Sequence, residues 1–151
     1  MSFEETDDWQ VALTWMVLPA GRAWQRAAGI ALTRLGLSLS AAAPLLVIAR
    51  LGDGVRQRDV AEEAAIDPAA IARSVNQLEK DGLLLRRTDA SDARAKTLHL
   101  TAAGRELAAR LDGALNLLRK DILSRISEQD GKAAVRVLLA LDAACTPAAG
   151  E

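Results

Sequence analysis

Aromatic residues are nearly absent: three Trp, one Phe and no Tyr occur in 151 residues. With so few aromatic and β-branched strand formers, a protein built mainly on sheets is excluded. A single cysteine, Cys145, excludes an internal disulfide and any metal site made of several thiolates. With one histidine, His99, and no Gly-rich phosphate loop, nucleophile elbow or metal-ligand spacing, neither catalysis, a cofactor nor a metal is expected. Neither sign of charge dominates, since 19 basic side chains face 20 acidic ones, so bulk charge nominates no partner. Long hydrophobic runs are also missing. The longest uncharged stretches, Trp9–Gly21 and Leu35–Ala49, hold 13 and 15 residues and are too short to cross a membrane as helices. Residues Met1–Asp8 are acidic where a secretory signal would be basic, which points to the cytoplasm.

What is abundant is alanine and leucine, 31 and 24 residues, both strong helix formers. Thr6-Asp7-Asp8 reads as a helix start, followed by Trp9, Leu13, Met16, Val17, Trp24, Ala28, Leu32 and Leu35 at helical spacing. Pro19 and Gly21 interrupt that pattern, so one kinked helix or two abutting ones are expected before a C-cap at Gly36. Ser38 or Ser40 caps a short apolar helix that closes at Gly52-Asp53-Gly54. Val55–Ala65 reads as a third helix, and Asp67-Pro68, a cap followed by proline, opens a fourth that ends at Asp81-Gly82. Ile71, Val75 and Leu78 form its inner face. Arg73, Asn76, Gln77 and Lys80 are left on the polar one.

After Gly82 the period changes. Leu83–Thr88 and Lys96–Leu100 flank the polar stretch Asp89–Ala95, the pattern of a β-hairpin with a long charged tip. Thr101 then caps a long helix with Leu107, Leu111, Leu115, Leu118, Ile122 and Ile126 at steps of three and four. Ser127–Asp130 resembles a capping box for a last helix carrying Val135, Leu138, Leu139 and Leu141. The fold class is mainly α with a small β-hairpin wing. A winged helix-turn-helix lobe, about residues 38–100, lies between helical segments 6–36 and 101–145, all in a single domain of 1–151. A helix of this kind fits the DNA major groove, where Arg, Asn and Gln read base edges, and a basic hairpin reaches the minor groove and phosphates.

Leu78-Glu79-Lys80-Asp81-Gly82-Leu83 followed by Arg86, then Asp92-x-Arg94-x-Lys96, then Leu98-x-Leu100-Thr101-x-x-Gly104 resembles the MarR family of bacterial transcription regulators, in order and spacing from about Val55 to Gly104. The resemblance implies a homodimer paired through N- and C-terminal helices and bound to double-stranded DNA. It places Arg73, Asn76 and Gln77 where recognition helices meet bases, with Lys80, Arg86 and Lys96 among the DNA-binding cations. By the same resemblance Arg94 enters the minor groove and Asp92 holds the wing tip by pairing with a basic neighbour. Ala93 departs from the Asp-Arg-Arg of many relatives, and Ala69, Ala70 and Ala72 leave the helix start poor in hydrogen-bonding side chains. Members of the family bind aromatic acids, for which Trp24 with Arg22 or Arg26 would supply an apolar wall and a cation.

The residues also admit blander readings. Arg73, Asn76, Gln77 and Lys80 fit a solvated helix face, and Asp92 with Arg94 a surface turn. The tryptophans fit a dimer core, His99 a surface strand and Cys145 an inert thiol. Between Val55 and Leu100 eight basic residues face eight acidic ones, unusual for a DNA-binding lobe, and only the wing is locally positive. Two functions remain open on sequence alone: a ligand-responsive repressor, and a winged-helix dimer acting as a protein-interaction module without sequence-specific DNA binding.

Overall fold

The computed structural model describes residues 8–147. Their elements run α1 (Trp9–Thr33), α2 (Leu39–Leu51), β1 (Val55–Arg56), α3 (Gln57–Ala64), α4 (Pro68–Lys80), β2 (Leu84–Thr88), β3 (Lys96–Leu100), α5 (Ala102–Ile122) and α6 (Glu128–Cys145). Thr6 and Asp7 lie outside the described residues. Asp8 is the cap of α1, its carboxylate accepting from the backbone N–H groups of Gln10 and Val11 at 3.1 and 3.2 Å. Of the two arrangements expected at Pro19, the structure sets aside two abutting helices: α1 continues through it as one. Proline removes a single rung of the ladder, and Pro19 sits on an exposed stretch where solvent can take the orphaned carbonyl.

The end of α1 follows the sequence. Gly36 takes φ +85°, its N–H donates to the Thr33 carbonyl at 2.9 Å, and the Leu37 N–H donates to that of Leu32 at 3.3 Å. This is a Schellman closure, which a left-handed glycine makes without a Cβ penalty. Ser38 caps α2 by accepting from the Ala41 N–H, and Asp67 caps α4 by accepting from that of Ala70 with Pro68 in the first turn.

Val55 and Arg56, expected in the first turn of a helix, form a strand instead. Val55 pairs with Leu98 and Arg56 with Thr97, while the Gly54 N–H donates to the Leu98 carbonyl at 2.9 Å. The ladder offered by β3 satisfies these backbone groups before α3 begins. The hairpin therefore becomes a three-stranded antiparallel sheet of order β1-β3-β2.

The chain divides into two compact units at Leu118. In the first, Leu32, Leu45, Ile48, Val60, Ile71, Val75, Leu84, Leu98 and Leu111 are fully buried, and no polar or charged residue is buried among the described residues. Each such side chain contributes about 1.5–3 kcal/mol relative to leaving it exposed. Gly104 seals the join between the wing and α5. The Leu83 carbonyl accepts from the Thr101 N–H at 3.2 Å, and a Cβ at Gly104 would lie 1.9 Å from that same oxygen. Thr101 completes the corner: its hydroxyl donates to the Gly82 carbonyl at 2.7 Å and accepts from the Gly104 N–H at 3.1 Å.

The second unit begins with the last turn of α5, which ends at Ile122, so Ile126 falls past it and not on its face. Ser127 caps α6, accepting from the Asp130 N–H at 3.0 Å and donating to the Asp130 carboxylate at 2.7 Å. The reciprocal arm of the expected capping box is thus made to the Ser127 hydroxyl and not to its backbone N–H. No residue of α6 is buried, and Val135, Val137, Leu138 and Leu139 are all exposed.

Candidate nucleic-acid interface

Because Ile71, Val75 and Leu78 bury one face of α4, Arg73, Asn76, Gln77 and Lys80 stand exposed on the other. Arg73 makes no ion pair or side-chain hydrogen bond among the described residues. Gln77 donates through Nε2 to Asp81 Oδ1 at 2.9 Å. Asn76 accepts through Oδ1 from the guanidinium of Arg86. Arg86 is turned inward: its side chain is 24% exposed, and its Nε lies 3.8 Å from Glu79 Oε2. Its backbone N–H also donates to Glu79 at 3.1 Å, which binds β2 to α4.

The wing tip is ordered by its own carboxylates. Asp92 Oδ1 accepts from the Arg94 N–H at 3.0 Å, a turn stabilised by an Asp side chain. Asp92 makes no ion pair among the described residues; the carboxylate that holds a cation is Asp89. Arg56 Nε donates to Asp89 Oδ2 at 2.9 Å, and the Ser91 N–H and hydroxyl both donate to Asp89 Oδ1 at 2.8 Å. The pairing expected of Asp92 is therefore made three residues earlier, where β1 lies close enough to reach the wing. Lys96 donates to the Thr88 hydroxyl at 3.0 Å across the β2–β3 pair, and the Arg94 side chain projects without a partner among the described residues.

The backbone and hydroxyl hydrogen bonds from Ser91, then Arg56, pull the Asp89 carboxyl down to about 2. A depressed carboxylate stabilises the fold above its unfolded value, near 4, and that contribution is lost as pH falls through about 2. Arg56→Ala and Ser91→Ala are each expected to raise the Asp89 midpoint part of the way toward the ordinary range, the first by removing the guanidinium and the second the hydroxyl donor, while the Ser91 backbone N–H, the largest cause, stays in place. Carboxyl-carbon NMR titration of the three proteins reads both shifts. An Asp89 midpoint unmoved in both variants would mean that the clamp does not form in solution.

Arg56, Arg58, Arg86, Arg94 and Lys96 line one cleft of about 400 Å³ together with Asp92. Arg56 is ion-paired with Asp89, Arg58 with Asp59 and Arg86 with Glu79, so Arg94 and Lys96 are the lining cations that make no ion pair among the described residues. Arg56, Arg58 and Asp89 were not singled out by sequence reasoning, because a two-residue strand carries no periodic signal and Arg56 reads equally well as a helix residue. Asp53 was also read only as a loop residue. Its carboxylate accepts from the Leu100 N–H at 2.9 Å and from Arg105, and the first of these bonds is the larger cause holding its pKa below the usual range.

The residues considered for a ligand do not converge. Trp24 packs against the core, whereas Arg22 and Arg26 are exposed, as positions two apart on a helix require. Arg22 instead shares a shallow concavity of α1 with Trp15, Leu18 and Pro19. Arg26 lines another with Ile30 and Arg34.

A capped, outward-polar α4 followed by a sheet with a basic tip defines a winged helix-turn-helix. The sequence model of the MarR family matches residues 35–95. The solved transcriptional regulator PA3341 is 31% identical over 87% of this chain and 96% of that one, with a TM-score of 0.77. The MarR family protein Rv2887 of Mycobacterium tuberculosis, solved in complex with salicylic acid, is 26% identical over 85% and 95%, with a TM-score of 0.68. A MarR-family regulator from Rhodococcus sp. RHA1, 23% identical over 90% and 96%, shares the fold with a TM-score of 0.75. The chain belongs to the MarR family: it is a transcription regulator, not an enzyme. No helix among the described residues is long and apolar enough to cross a membrane.

Proposed function

We propose that the protein is a ligand-responsive repressor that acts in the cytoplasm as a homodimer on a pseudo-palindromic operator. The observation that carries this reading is the cleft beside the exposed face of α4, lined by five cations of which Arg94 and Lys96 make no ion pair among the described residues. Arg86 links the two, since it lines the cleft and donates to Asn76. In this reading α4 enters the major groove through Arg73, Asn76 and Gln77. Arg94 reaches the minor groove, and Arg58, Lys80 and Lys96 neutralise phosphates. A two-fold dimer sets half-sites about one turn, roughly 10 bp, apart. The dimer itself is supported by the apolar side chains that each unit leaves outside: Trp9, Trp15 and Leu18 on α1, and Val135, Leu138 and Leu139 on α6.

The effector is proposed to be a small aromatic acid, the chemical class of the salicylic acid in the Rv2887 complex. Arg22 beside Trp15 supplies the cation and the aromatic wall, a role the sequence had given to Trp24. Binding to a dimer whose lobes are misplaced for successive major grooves would draw the population away from DNA. The test is a titration of a labelled duplex from the gene's own upstream region beside an unrelated duplex, at fixed salt, with and without millimolar salicylate. Nanomolar selective binding that salicylate weakens is expected. Equal weak binding to both duplexes would remove the repressor reading.

A further inference from the structure

We infer that Asp89 and Arg56 are positioning residues for DNA binding: they tie down the wing tip so that Arg94 is presented to the duplex, and an acidic side chain thereby strengthens binding to a polyanion. The inference rests on the DNA-binding reading above and adds what aims its minor-groove arginine. Residues 89–95 leave the sheet beyond the Thr88–Lys96 pair, so the β2–β3 ladder fixes only the base of the tip. The Asp89 side chain is 14% exposed and turns to β1, where Arg56 Nε donates to Oδ2 at 2.9 Å. Its other oxygen holds the near side of the tip through the Ser91 N–H and hydroxyl. The Asp89 backbone N–H donates to the Ala95 carbonyl at 3.0 Å and holds the far side, next to Arg94.

Asp92 shapes a turn inside the tip through the Arg94 N–H. Among the described residues, it is the guanidinium of Arg56, on Asp89 and at 3.5 Å on the Ser91 hydroxyl, that joins the tip to an element outside the hairpin. Because β1 leads directly into α3, this tie sets the tip against the helix-turn-helix and not merely against its own strands. A tip free to swing must be ordered when its arginine enters a groove, and that cost is subtracted from affinity. A tip already tied avoids it. Coulomb attraction acts in the opposite sense, since removing a carboxylate near phosphates should tighten binding. Positioning and charge therefore predict opposite signs for the loss of Asp89.

The experiment is a double-mutant cycle on the full-length protein, reading affinity for the labelled upstream duplex at fixed salt. The variants are Asp89→Ala, Arg56→Ala, Arg94→Ala and each of the first two combined with the third. Asp89→Ala is expected to weaken binding on the order of tenfold, against the sign of its charge change, and Arg56→Ala by a similar factor. With Arg94→Ala already present, each loss should shrink below about twofold or turn into a gain, because no arginine is left to aim. General loosening of the lobe, or a phosphate contact made by Arg56 itself, would keep its loss in that background, and either result overturns the inference. So does an Asp89→Ala protein that binds as tightly as the parent or more so. A loss in Arg94→Ala alone would in those cases leave the regulator reading standing. No selective binding by the unaltered protein removes both.

Discussion

Replacing Gly104 with alanine is expected to destabilise the winged lobe by at least about 3 kcal/mol, the upper range for overpacking. The added Cβ would sit 1.9 Å from the Leu83 carbonyl oxygen, which belongs to backbone and has no flexible end to move aside. That oxygen already accepts from Thr101, and Thr101 in turn holds Gly82 and Gly104, so the whole corner must open together. For a chain of this size a loss of that order lowers Tm by roughly 6–12 °C. Thermal denaturation followed by circular dichroism measures it. Gly113→Ala is the control, because nothing lies within 4 Å of a Cβ built there. Helix propensity should make that control neutral or slightly stabilising. Equal melting of the two variants would show that the Leu83 contact is absent in solution.

The second large effect is expected on DNA. Arg94→Ala should leave the fold within about 0.5 kcal/mol of the parent, since the side chain is exposed and has no partner among the described residues. Loss of an arginine contact to DNA costs on the order of 1–3 kcal/mol, and a dimer on two half-sites loses it twice. The operator affinity should therefore fall at least about thirty-fold, and the salt dependence should flatten. Asp92→Ala is expected to act in the same direction but less, because Asp92 shapes the turn through the Arg94 N–H without touching DNA. The same variant decides between repressor and protein-interaction module. A module would keep its partner when Arg94 is removed.

The elements legible in the sequence were those whose signals are local. Ser38, Asp67, Thr101 and Ser127 each announce a helix by a side chain that caps within three residues, and all four do so in the structure, whereas Asp8, expected in the first turn of α1, is its cap. Gly36 closes α1 for a comparably local reason. What escaped was set by groups distant in sequence. Val55 and Arg56 become a strand because Leu98 and Thr97, more than forty positions later, present a free edge. The wing clamp falls to Asp89 for a similar reason: Arg56, 33 positions away, lies next to it. Pro19 left one kinked helix or two abutting ones open, and the chain runs through it as one, where solvent can take the single carbonyl that proline orphans. The site was legible as a roster of residues, whereas the contact of Asn76 with Arg86 required the β2–α4 packing.

The exposed apolar faces of α6 and of the first half of α1 also bear on how much of this regulator a cell must hold. The winged lobe carries its own buried core, but α6 buries nothing by itself. A solitary copy therefore presents proteases and chaperones with a terminal segment that mass action alone protects. Association would make the surviving fraction rise with abundance, and occupancy of a two-fold operator would rise with the square of free chain. Gene control by such a molecule would be steep in dosage even before any effector is bound. A modest fall in synthesis would then be amplified twice, once through degradation and once through occupancy.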